Sequence, residues 1–107
     1  MPANFKRPFL QYIKKAKRPL QLAIEDAVLQ ICKKPEVGEL KSGDLADIRV
    51  YKFRFNRQEY LIAYRASAKG VSLEFLGIDF YQVGSHENFY DDLKNYLRQE
   101  SRKGTTP

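Results

Sequence analysis

The chain has 107 residues, 43% hydrophobic and 13% aromatic, enough for one domain (1–107) with its own core and too apolar for a disordered segment. Its single cysteine, Cys32, excludes an internal disulfide framework and a cysteine-built metal site, and nineteen Lys and Arg against thirteen Asp and Glu leave a net charge of +6, which favours an anionic partner. No apolar run approaches the roughly 18 residues of a membrane span, and none in the first 30 residues reads as a secretory core, so a cytoplasmic protein without a membrane partner is expected.

Two helices are predicted first. Phe5, Phe9, Tyr12, Ile13 and Ala16 recur at the helical period, and Pro8 suits a first turn. Pro19 ends this helix and opens a second, whose stripe is Leu20, Ile24, Ala27, Val28 and Ile31. That stripe stops at Lys33 and Lys34, before Pro35, as a helix C-terminus should. All of the excess charge lies in this hairpin. Lys6, Arg7, Lys14, Lys15, Lys17 and Arg18 precede the first acid, Glu25.

A loop with Gly38 and Gly43 covers 35–46, and then the period changes to two. In "DIRVYKFRFN" (47–56), Tyr51, Phe53 and Phe55 point one way and Lys52 and Arg54 the other. After a polar turn at 56–59, "YLIAYRAS" (60–67) and "VSLEFLGI" (71–78) read as two further strands, joined by a turn at Lys69 and Gly70. Short connections imply an antiparallel meander. Residues 79–85 match no element cleanly, although "DFYQV" could prolong a strand. Ser85 is expected to cap a last helix with the stripe Phe89, Leu93, Tyr96 and Leu97, followed by a tail at 100–107. The fold class is α+β: an N-terminal helical hairpin on one face of a small antiparallel sheet of three to four strands, plus a C-terminal helix.

Lys52 and Arg54 lie about 7 Å apart on one strand face, a spacing that suits backbone phosphates of RNA. The same pattern also serves simply to keep a sheet face soluble. Arg49 and Arg57 flank them, and Arg65 ends the next strand. His86, the only histidine, and Tyr90 share a helix face if the helix begins at residue 86. A histidine or tyrosine near cations can move protons while RNA is cut by its own 2′-hydroxyl, a reaction that needs no metal. Equally, His86 can be a helix-start residue and Tyr90 a core residue. Asp91 and Asp92 read as a solvated face, and Cys32 as buried. No glycine-rich phosphate loop or nucleophile elbow is present.

"KKPEVGELKSGDLADIRVYKFRFNRQEYLIAYRAS" (33–67), the strand after it and "HENFYDDLKNYL" (86–97) resemble the RelE/ParE toxins of bacterial type II toxin–antitoxin modules. The resemblance implies a sheet backed by a helical hairpin, a cognate antitoxin and no cofactor. In the RelE branch it implies cleavage of mRNA on the ribosome. There Lys52 and Arg54, with Arg49 and Arg57, would contact RNA. Arg65 would stabilise the transition-state phosphate, and His86 or Tyr90 would transfer protons, with Lys52 completing the catalytic set. The ParE branch shares the scaffold and inhibits DNA gyrase, and a non-catalytic nucleic-acid-binding or interaction module of the same fold is a third reading. Many relatives begin with a short strand, which "MPANFKR" does not suggest, and many end soon after the last strand.

Overall fold

A computed structural model describes residues 3–45, 47–68 and 76–104. The chain opens with strand β1 (Ala3–Phe5), then helices α1 (Arg7–Lys15) and α2 (Arg18–Lys33). Strand β2 (Glu39–Leu40) precedes β3 (Arg49–Phe55), β4 (Gln58–Ala68), β5 (Leu76–Ser85) and helix α3 (Phe89–Gly104). The five strands form one sheet in the order β1-β5-β4-β3-β2. All neighbours are antiparallel except β1, which runs parallel to β5. The α+β architecture and the helical hairpin are as the sequence implies. The sheet is mixed, because "ANF" does form a strand, held by pairing to Ile78–Phe80 and by the Lys6 N–H bond to the Phe80 carbonyl. Three residues are too short for a period-two signal.

The hairpin forms where the prolines predict it. Each proline is the second residue of its helix, where its missing N–H costs no intrahelical bond. The α1 C-terminus is closed by the Ala16 N–H bonding to Tyr12 and Ile13 carbonyls, and the Gln21 side-chain amide donates to the Ile13 carbonyl at 2.7 Å. This ties the start of α2 to the end of α1.

The hairpin covers one sheet face, burying Phe9, Ile24, Ala27 and Ile31 against Ile62, Tyr64, Ile78, Phe80 and Val83. Helix α3 covers much of the other, where Phe89 and Leu93 pack on Ile48, Val50, Leu61, Ala63 and Tyr81. The second face is therefore a second core, and at its β3 end Lys52 and Arg54 stay exposed. Strand β4 is buried on both faces from Tyr60 to Tyr64, which explains its unbroken apolar run. Each large side chain buried there contributes about 1.5–3 kcal/mol.

Three sequence expectations change. Residues 79–85 continue β5, and a register shift opposite Ala63–Tyr64 leaves Tyr81 as the extra residue of a bulge. Helix α3 starts at Phe89 and not at residue 86. Asn88 sits at φ 59°, a left-handed conformation that asparagine tolerates, and its carbonyl accepts the Asp92 N–H. Ser85 is thus the end of a strand and not a cap. The helix also runs on to Gly104, through the predicted tail. The turn at 69–70, the strand start at 71–75 and residues 105–107 lie outside the described residues.

Buried Tyr64 holds the segment after α2. Its hydroxyl donates to the Pro35 carbonyl at 2.6 Å and accepts the Gly38 N–H at 2.8 Å. A Cβ on Gly38 would lie 2.6 Å from that hydroxyl oxygen, so only glycine fits. Tyr64→Phe should cost about 1–3 kcal/mol in urea denaturation by stranding the buried Gly38 N–H, and Gly38→Ala should cost at least as much. An unchanged midpoint for both would show that the clamp does not hold this loop.

Candidate functional site

The β3–β4 turn is tight, with Asn56 at φ 50° and Arg57 at φ 67°, as a two-residue hairpin turn of matching twist requires. Tight turning fixes the register and sets Arg54 directly opposite Glu59 and Lys52 opposite Leu61. Directly opposed residues share a face, so Lys52, Arg54 and Glu59 project together on the α3 side, beyond the start of that helix. Lys52 and Arg54 are exposed, and Arg57 is exposed at the turn tip.

His86 follows the last residue of β5, and Ser85 pairs with Tyr60, the neighbour of Glu59. The imidazole Nε2 meets Glu59 Oε1 at 2.5 Å. An ionised carboxylate only accepts, so Nε2 carries the proton and Nδ1 is left for other partners. The bond from His86 holds the Glu59 carboxyl below the usual glutamate range, and the charges of His86, Lys52 and Arg54 act in the same direction. Desolvation opposes them, second in size only to the His86 bond. Sequence reasoning missed Glu59. Its place opposite Arg54 could have been inferred from the hairpin, but its meeting with His86 could not.

A second acid flanks Lys52. Glu39 accepts from Lys41 Nζ at 2.8 Å. This bond, then the Lys41 charge and more weakly that of Lys52, keeps the Glu39 carboxyl low. Lys41 Nζ also lies 5.6 Å from the centre of the half-buried Tyr90 ring. The Lys41 amine is correspondingly raised, first by its bond to Glu39. Tyr90 is the second residue of α3, and its ring meets Phe89 edge-on. His86 precedes the helix, so the two do not share the helix face that their spacing suggested.

Two predicted residues stand apart. Arg49 lies on the opposite face of β3, where its guanidinium donates to the Gly38 carbonyl at 2.8 Å and the Glu36 carbonyl at 3.2 Å. Arg65 is six residues from Glu59 along β4, roughly 20 Å away at strand spacing. Its guanidinium lies 5.6 Å from the Tyr81 ring centre and reaches the Tyr81 hydroxyl at 3.3 Å, and its Nε is buried without a partner among the described residues. Burial pushes the Tyr81 phenol up to about 12, against the opposing charge of Arg65. Lys6 lies 5.8 Å from the same ring and pairs with Glu100 at 3.4 Å, and the Tyr96 hydroxyl donates to Glu100 at 3.1 Å. This group fastens α3 to the β1–β5 edge. Cys32 is half-buried, its thiol raised by burial. Among the described residues no three His, Cys, Asp or Glu side chains gather as metal ligands.

Fold and site together define a small basic α+β protein with a core on each face of its sheet and exposed Lys52 and Arg54 at one strand end. A family model for the ParE-like toxin of type II bacterial toxin–antitoxin systems matches residues 4–94, and the chain belongs to that family. Its fold is similar to a chain of the intact E. coli RelBE toxin–antitoxin complex, with a TM-score of 0.60 at 17% identity, over 80% of this chain and 96% of that one. It is likewise similar to the isolated E. coli RelE toxin, with a TM-score of 0.56 at 16% identity, over 91% of this chain and 96% of that one. At such identities the likeness is one of fold. No curated protein sequence matches the chain.

The Glu59–His86 contact has a checkable pH signature. A folded-state value below the unfolded one means that the contact stabilises fully above the ordinary glutamate range, and that this is lost as pH falls through the lower folded value. In a carboxyl-detected NMR titration, Glu59 should have its midpoint below the ordinary value of about 4.3, and His86→Ala should raise it. A midpoint indifferent to His86→Ala would show that the pair does not persist in solution.

Proposed function

We propose that this toxin is a ribosome-dependent mRNA endonuclease that uses the RNA's own 2′-hydroxyl and no metal or organic cofactor. The observation that carries the reading is the His86 imidazole, oriented by Glu59 beside exposed Lys52 and Arg54 at one strand end. In the reaction the 2′-oxygen attacks the adjacent phosphorus and gives up its proton. The bond from phosphorus to the 5′-oxygen breaks, and that oxygen takes a proton. The products are a 2′,3′-cyclic phosphate and a 5′-hydroxyl end. With Nε2 engaged by Glu59, Nδ1 of His86 is the atom that serves as acid or base. Lys52 and Arg54 stabilise the charge on the crowded phosphate, each worth about 10²- to 10³-fold where well directed. Tyr90, with Lys41 over its ring, offers an aromatic surface at the edge of the same cluster.

The basic end that would meet RNA also suits a cognate antitoxin, an acidic segment that folds onto it and excludes the substrate. A ribosomal target implies work in the cytoplasm. A second reading, gyrase inhibition in the manner of the ParE branch, is favoured by one feature. Arg65, the expected phosphate-stabilising residue, is engaged with Tyr81 about 20 Å along the strand from Glu59.

Primer extension on an mRNA in a purified bacterial translation system tests the proposal. Wild-type protein should produce cuts only with translating ribosomes, and His86→Ala should weaken them at least about 100-fold. Cuts unchanged in His86→Ala would transfer the proton role to Tyr90 or Lys52. No cuts with either protein, together with loss of supercoiling in a gyrase assay, would overturn the nuclease reading in favour of the second.

A further inference from the structure

Strand β1 pairs with β5 only along Ile78–Phe80, after which the chain turns away into α1. The outer edge of β5 beyond Phe80 consequently borders a groove of about 390 Å³ between α1 and the start of α3. That size falls in the range of small-molecule sites. Ser85 and Glu87, the sequence neighbours of His86, both line the groove, while His86 itself turns to Glu59 across the inner edge of the strand.

The groove narrows at Gly84. A Cβ built there would lie 3.5 Å from Tyr12 Cε2 and 3.9 Å from Phe89 Cδ1. The bare glycine backbone therefore stands between two aromatic rings and leaves a slot that one side-chain methyl would begin to fill. Tyr12 is partly exposed, so its ring can serve as a stacking wall. Burial raises its phenol, which stays uncharged. Gln82 lines the groove and is only 7% exposed. Its amide nitrogen is held by the Phe89 carbonyl at 2.8 Å, which fixes the amide, and its oxygen accepts no hydrogen bond among the described residues. Arg65 Nε, and not Gln82 Oε1, is the buried polar atom without a partner among the described residues, so solvent reaches this oxygen and an occupant's donor can replace that solvent.

The charges are those of a site for a neutral ring and not for a phosphate. Two acids, Glu87 and Asp92, line the groove against one cation, Lys15. A nucleotide's phosphate would be drawn to Lys52 and Arg54 instead. We infer that this groove seats one nucleobase of the RNA, and that it prefers bases with an exocyclic amino group (cytosine, adenine or guanine) over uracil. The inference rests on the nuclease reading for its substrate. The amino group supplies donors to Gln82 Oε1 and the two carboxylates, while uracil has a carbonyl oxygen in its place and only the single ring N3–H as a donor on that edge.

The test is an NMR titration of the ¹⁵N-labelled wild-type chain with CMP, AMP, GMP, UMP and ribose 5-phosphate. The three amino-bearing nucleotides should shift the Gly84 and Ser85 amides and the Gln82 side-chain amide. UMP should bind about tenfold more weakly, the value of roughly one hydrogen bond. Ribose 5-phosphate should leave these signals in place. Gly84→Ala should abolish the shifts without changing the melting temperature, because its Cβ meets only ordinary contacts and the position has no positive φ. Shifts confined to β3, equal effects of ribose 5-phosphate, or unaltered binding by Gly84→Ala would each overturn the inference. The primer-extension assay separates this result from the parent reading. Cuts without groove shifts sink the groove alone, whereas groove shifts without cuts leave a base site on a protein that is not a nuclease.

Discussion

Everything in this molecule is referred to strand β4. It is hydrogen-bonded on both edges, buried on both faces from Tyr60 to Tyr64, and turned tightly from β3. A one-residue slip would exchange its two faces, moving Tyr64 into the α3 core and Leu61 and Ala63 into the hairpin core, so its register is strongly specified. The Tyr64 hydroxyl clamp on Pro35 and Gly38 adds a polar lock to the same strand. With β4 fixed, Glu59 lies at one end and Arg65 near the other. That distance alone separates the catalytic set that the family pattern suggests.

The two ends of the α3-facing surface differ in what their cations do. At the Arg65 end, cations are spent on structure. Arg65 and Lys6 lie over Tyr81, and Glu100 joins Lys6 to Tyr96, so this end anchors the helix. At the Lys52 end, α3 has not yet begun, because Asn88 in its left-handed conformation delays the helix by three residues. That delay frees His86 from a helical turn and lets it swing to Glu59. Glu39 and Glu59 on either side temper the charge of Lys41, Lys52 and Arg54 without covering them.

Similarity at 16–17% identity to RelE chains carries the fold across but not the individual side chains. The case of Arg65 illustrates this. Its sequence setting, "AYR", resembles the family pattern, yet β4 continues to Ala68 and the guanidinium here is engaged by a tyrosine at a bulge in the neighbouring strand. A bulge adds one residue to one strand, and neither strand's own alternation reveals it.

Local chemistry was legible without the fold. The prolines marked both helix starts, period-two alternation marked β3 and sorted Lys52 and Arg54 from Tyr51 and Phe53, and the helical stripe of α3 was read correctly from Phe89 to Leu97. These signals survive because each depends on neighbours within a few residues. Strand β1 stayed hidden because three residues carry no period, and it exists only through pairing with a strand more than seventy residues later. The same is true of the site. That His86 meets Glu59, that Tyr90 lies with Lys41, and that Arg49 faces away toward the Glu36 and Gly38 carbonyls depend on register and on where α3 begins. Those are decided by contacts between residues far apart in the chain, which the order of residues alone does not display.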